Sequence, residues 1–274
     1  MNSEELLISP ATSSVELQLG DVWRHRDLLR YLTVRDIHMA YANTSIGLFW
    51  VLLQPLATAL VLTLVFAILV RVPTGGVPYP LVILSAYPFF LYFNNVVTRS
   101  ANSMSANAHL LTKVYFPRLI IVLVPLLAGL IDLLVLLAVV LLAAPFYGTW
   151  PALSWFALVL PIALVVLLAL GMGLWLSLLT VHVRDIGHAL PLMLQAVLYI
   201  TPVIYPIALV PDNWRWLYDL NPMVGIVQTA RWALLGTGDL PVYALTASVA
   251  MISLILVSGF IFFHVLEDAT SDLI

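Results

Sequence analysis

Long apolar runs alternate with short polar stretches along the chain, and the runs set its plan. About 20 apolar residues carry a helix across a hydrocarbon core of about 30 Å. Ile46–Val70 is the first run of that length, interrupted only by Gln54, Pro55 and scattered threonines. Val77–Val97 is the second, with Asn94 and Asn95 near its end, and Leu119–Ala144 the third, with Asp132 near its middle. Ala152–Thr180 is the fourth, inside a stretch from Pro145 to Val181 that carries no charge. Ala189–Val210, holding Pro191, Pro202 and Pro206, is the fifth, and Leu240–Leu266 the sixth. Strand-type alternation is absent, so the runs predict helices and not the strands of an outer-membrane barrel.

Ahead of the first run, Asp21–Tyr41 reads as an amphipathic interfacial helix. Val22, Leu29, Leu32 and Met39 fall roughly on one face, flanked by Arg24, Arg26, Arg30 and Arg35, with Asp36 interrupting it. Glu4, Glu5 and Glu16 stand where a secretory signal would be basic, and no apolar segment follows before Ile46. The expected fold is therefore all-α and polytopic. It has an N-terminal segment at 1–45, a six-helix membrane domain at 46–266 and a short tail at 267–274.

Composition sharpens this picture. Of 274 residues 62% are apolar and 9% charged, against about 45–50% and about 25% in soluble domains. Eleven Lys/Arg and fourteen Asp/Glu cannot cover a water-soluble fold of this length. A net charge of −3 gives no reason to expect nucleic acid. With no cysteine there is no disulfide framework and no thiolate chemistry.

Lys/Arg placement predicts sidedness. Arg24, Arg26, Arg30, Arg35, Arg99, Lys113, Arg118 and Arg184 fall on one side, against Arg71, Arg215 and Arg231 on the other. Both termini are thus expected in the cytoplasm, with Pro211–Asp239 facing outward.

Little here suggests chemistry performed by the chain itself. No GxxxxGK[ST] loop occurs, the six histidines never cluster at ligand spacing, and no nucleophile elbow is present. Asp132 is either a proton relay or a buried acid that holds helices together. The stretch Ser100–Arg118 turns from polar to apolar around Lys113 before Pro117 stops it, which suits docking into a partner's groove or lying on lipid. Ile207–Gly236 carries Trp214, Trp216, Tyr218 and Trp232 between proline breaks. It reads as an interfacial aromatic belt or as short re-entrant helices before the last span. Aromatics in or near the spans (Phe49, Trp50, Phe93, Tyr199 and Tyr205 among them) either pack helices or offer flat faces to sugar C–H groups.

Six strings in order carry a resemblance: YANTSIGLFWVLLQP (41–55), VPYP (77–80), NAHLLTKVYFPR (107–118), VRD (183–185), TPVIYP (201–206) and LNPM (220–223). In these the chain resembles the permease subunits of ATP-binding-cassette polysaccharide exporters of the type-2 family, over nearly its whole length. Where that family carries a pattern like RYKQT, this chain reads AYANT. The resemblance implies a homodimer in the cell inner membrane, bound to two copies of a separate ATPase that holds ATP and Mg, with no cofactor in this chain. It implies that Asn107, Leu111, Lys113, Tyr115, Phe116 and Arg118 meet that ATPase. Phe49, Trp50, Phe93, Tyr199 and Tyr205 would line the path of a lipid-linked polysaccharide. Arg24, Arg26, Arg30 and Arg35 are expected to contact the lipid head group, and Trp214, Trp216, Asn221 and Pro222 to belong to an outward gate. A drug or small-lipid exporter of the same architecture, an ion-coupled secondary transporter and a membrane enzyme are the alternatives. The last two would call for several intramembrane charges or a carboxylate-rich loop.

Overall fold

A computed structural model describes residues 19–41, 47–114, 116–148, 153–236 and 239–270, and every regular element among them is helical. The chain opens with α1 (Leu19–Arg24) and α2 (Arg26–Tyr41). The first span is α3 (Trp50–Thr63), prolonged by wider π-type turns over Leu64–Leu69 in which the Val70 amide reaches back to the Val65 carbonyl. The second is two pieces, α4 (Tyr79–Leu84) and α5 (Tyr87–Ala101), separated at Ser85–Ala86, with Pro88 in the first turn of α5. Two single turns, α6 (Ser103–Ala106) and α7 (Ala108–Leu111), lead to α8 (Leu119–Ala143). Then come α9 (Val159–His182), α10 (Arg184–Ile200), α11 (Asp212–Asp219), α12 (Pro222–Leu235) and α13 (Val242–Thr270).

Five helices among the described residues are long and apolar enough to cross a membrane: Trp50–Leu69, Tyr79–Ala101, Leu119–Tyr147, Ser154–His182 and Val242–Glu267. The expected fifth run, 189–210, forms differently. Its helix, α10, begins earlier, at Arg184, and ends at Ile200 after 17 residues, about 26 Å at 1.5 Å per residue. That is the short end of what spans a bilayer. Two prolines explain the early stop: neither Pro202 nor Pro206 can donate to the helix ladder, and the residue before each is driven toward extended backbone. Thr201 accordingly sits at ψ 138°.

The core lies where α5, α8 and α9 pack together, with Phe89, Tyr92, Phe93 and Val96 of α5 buried against Leu133, Val165 and Leu168. In a bilayer, lipid tails are as apolar as leucine, so close approach of helices depends on small residues. Gly129 of α8 provides one such approach. A Cβ there would lie 2.8 Å from Val96 and 3.4 Å from Tyr92. Gly225 of α12 provides another, its amide donating to Ser248 of α13 at 3.2 Å while a Cβ would stand 2.4 Å from the Ala244 carbonyl oxygen. By contrast α3, α10 and α13 turn most of their apolar positions outward.

The N-terminal helices do more than float on lipid. Val22 and Leu32 are buried with Met104, Phe116 and Ile121, while Met39 points outward. Helix α2 runs lengthwise along α8, from Leu32 near Ile121 and Val124 to Tyr41, whose hydroxyl donates to Asp132 at 2.7 Å.

Candidate functional site

Two polar assemblies and one exposed segment organise the candidate site. The segment 100–118 is two-sided. Ser103 and Met104 of α6 are buried, and Phe116 is only 7% exposed within the cluster that α1, α2 and α8 share. His109, Thr112, Lys113 and Val114 face outward, Val114 at 54%. Phe116, expected at the partner interface, turns inward here. Its ring anchors the segment to the bundle, because a large apolar side chain gains most where it leaves solvent. Asn107, Leu111 and Arg118 are half-buried, and Tyr115 lies outside the described residues. Asn107 does three jobs: its backbone ends α6 and starts α7, its amide donates to Ser103, and its side-chain oxygen accepts from Arg35 of α2 at 3.1 Å.

That Arg35–Asn107 bond belongs to a polar seam between α2 and the spans. Asp36 pairs with Arg99 at the end of α5, and further along, Tyr41 donates to Asp132. Burial, together with the bond to Asp132, raises the Tyr41 hydroxyl above the ordinary tyrosine range, so it stays protonated and keeps donating. Asp36, which the sequence makes an interruption of an apolar face, is one of three residues that tie the helix down. The four expected head-group arginines are not equivalent. Arg24, Arg26 and Arg30 are exposed, Arg24 beside Asp21 at 3.5 Å and Arg26 with its guanidinium 5.5 Å from the Trp23 ring centroid, whereas Arg35 is half-buried and committed to Asn107.

The second assembly closes the break after α10. The last carbonyls of a helix have no partner within it. Here the Tyr205 hydroxyl returns to donate to the carbonyls of Tyr199 and Ile200, at 2.9 and 3.3 Å. Beyond the prolyl break, the carbonyls of Val203, Ile204 and Tyr205 are also taken. Arg231 of α12 donates to Val203 at 2.7 Å and to Tyr205 at 3.1 Å, and Tyr79 of α4 donates to Ile204 at 2.5 Å. Arg231 reaches the Val82 carbonyl as well, at 3.3 Å, so one cation joins the broken α10 end to α4 and α12. The sequence analysis missed this role. Its signal is a single charge set within an otherwise apolar helix, PMVGIVQTARWALL, which demands a partner.

Helix α12 is held at both ends. Asn221 caps it by accepting from the Met223 amide at 3.0 Å, with Pro222 at the first helical position, and its own amide donates to Thr201 at 2.9 Å. Gly236, at φ +62°, ends it, while Ser154 and Trp155 donate to the Ala233 and Leu234 carbonyls. Trp214 and Trp216 of the preceding α11 are exposed. Among the expected path residues, Phe49, Trp50 (44%) and Tyr199 (57%) are exposed, but Phe93, at 5%, is buried in the core.

Comparison with known proteins places this architecture. A family model described as ABC-2 type transporter matches residues 27–235, from α2 through α12. O-antigen export system permease protein RfbA of Klebsiella pneumoniae is 26% identical over 206 residues, covering 75% of this chain and 79% of the relative. The protein of that name in Myxococcus xanthus is 26% identical over 240 residues, covering 86% and 90%. Polysialic acid transport protein KpsM of Escherichia coli is 25% identical over 206 residues, covering 74% and 80%. With helices α2 to α12 inside that match, the seam, the two-sided segment 100–118 and the stapled break are features of a membrane protein that belongs to the ABC-2 type transporter family.

Proposed function

We propose that the chain is the membrane-spanning permease of an exporter that moves lipid-linked polysaccharide across the cell inner membrane. A separate ATPase drives it. O-antigen export system permease proteins and a polysialic acid transport protein are among its relatives, and this observation carries the choice of cargo. The exposed patch His109, Thr112, Lys113 and Val114, braced from behind by Met104 and Phe116, supports ATPase docking: it offers charge and apolar area on a segment that cannot fold away. Two copies of the chain, each bound to one ATPase, would meet along the outward faces of α3 and α10. Phe49, Trp50, Tyr199 and Tyr205 lie on or beside those faces.

In this reading both termini are cytoplasmic, Arg24, Arg26 and Arg30 meet anionic head groups, and α11 with α12 forms the outward gate. Hydrolysis on the ATPase would move the segment 100–118, and the Arg35–Asn107 and Asp36–Arg99 bonds pass that motion to α2. The test is deletion of the gene in its host, followed by measurement of surface glycan and of glycan-bearing lipid in the inner membrane. Surface glycan should vanish while the lipid-linked form accumulates. Unchanged surface glycan, with or without altered drug resistance, overturns the assignment of cargo.

A further inference from the structure

Gln54 and Asn95 are both exposed, although each belongs to a membrane-spanning helix. An amide within a span is stable only where a polar group or water meets it. Both line one half-open cavity, of about 230 Å³, where α2 and α3 meet α5 and α8. Trp50, Tyr41 and Asp132 line it as well. One Asp132 oxygen accepts from Tyr41, which fixes the orientation of the carboxyl group, and the Asn95 side-chain oxygen takes only a long contact from Asn94 at 3.4 Å. The chemistry on offer is a carboxylate acceptor, two amides that both donate and accept, and a flat indole face. A cation would find a single carboxylate already engaged, and no group of three or more metal-ligating side chains occurs among the described residues. A pyranose ring uses every element: its hydroxyls donate to Asp132, exchange hydrogen bonds with Gln54 and Asn95, and its C–H face stacks on Trp50.

We infer that this cavity is a sugar-binding subsite, holding one ring of the glycan within the membrane. The inference rests on polysaccharide being the cargo, and the experiment separates the two. The photoreactive residue benzoylphenylalanine is placed in turn at Asn95, at Tyr199 and at the outward-facing Leu254 of α13, in cells fed tritiated glucose. Membrane vesicles are then stalled with a non-hydrolysable ATP analogue and illuminated. Labelled glycan should attach at Asn95 at least tenfold more than at Leu254. The paired variant Gln54→Leu/Asn95→Leu should export at about a tenth of the normal rate while still co-purifying with its ATPase. Were these positions merely lipid-facing, leucine would suit them better than the amides do. Attachment at Tyr199 but not at Asn95, or normal export by the leucine pair, overturns the subsite and leaves the cargo standing. No attachment at any position overturns both.

Discussion

Arg231 gives the most demanding test of the fold, because one side chain serves three backbone carbonyls, one in α4 and two in the break after α10. Replacing it with methionine keeps the length and apolar stem and removes the donors to Val82, Val203 and Tyr205. Hydrogen bonds in a membrane setting contribute roughly 0.6–2 kcal/mol each, so the three sum to about 2–6 kcal/mol. Removing the cation also relieves the cost of burying it, several kcal/mol for an ion taken out of water. Against that relief, three carbonyls are left in a dry site at about 1–3 kcal/mol apiece. The carbonyl cost replaces the bond sum rather than adding to it, so about 3–9 kcal/mol set against a relief of several leaves a net loss of about 3 kcal/mol. For a chain of this size that is a fall of about 6–12 °C in the unfolding midpoint. The assay is the temperature at which detergent-solubilised protein leaves the monodisperse peak on size exclusion, at one fixed heating time because unfolding is irreversible. Arg231→Lys keeps the charge but not the fork and should fall between. Tyr79→Phe, which deletes one bond to the Ile204 carbonyl, should fall by about a third as much as Arg231→Met. Arg215→Met, which breaks an exposed pair with Asp212 at 3.0 Å, is the control and should shift the midpoint little. An Arg231→Met protein that melts with the control would refute the stapling role.

Three further outcomes are expected. Val114→Asp should abolish co-purification of the ATPase with a normal melting profile, whereas Phe116→Asp should lower the yield of folded protein, since a buried charge without a partner costs several kcal/mol; equal behaviour of the two would contradict the two-sided segment. Asp132→Asn keeps an acceptor for Tyr41 and should hold the midpoint within about 1 kcal/mol of wild type, while Tyr41→Phe, losing that bond, should cost about 1 kcal/mol; the opposite ranking in the same melting assay would count against this account of the seam. Gly225→Leu should separate α12 from α13 and cost about 3 kcal/mol or more, because the new side chain meets the Ala244 carbonyl and has no room to turn; a disulfide between cysteines introduced at Val224 and Ser248 that forms as readily in this variant as in its absence would show that the helices do not part.

Five of the six apolar runs and their approximate ends were legible in the sequence, whereas the helix stop at Ile200 and the cap at Asn221, though they follow equally local rules, were not read from it. Hydropathy is a local sum, a proline removes its own donor, and an N-cap reaches two residues along. What only the tertiary structure decided is which apolar residues face protein. In a bilayer the lipid-facing and protein-facing sides of a helix are equally apolar, so the pattern could not tell the buried Phe93 and Phe116 from the exposed Trp50 and Val114. The same limit governs the polar residues. Asp36, Asp132 and Arg231 read as an interruption of an apolar face, an intramembrane acid and a loop charge, until Arg99, Tyr41 and the Val82 carbonyl stood opposite them at separations of 63, 91 and 149 residues. A charge in an apolar environment is tolerable only with its partner in place, and the partner is chosen by how the helices pack.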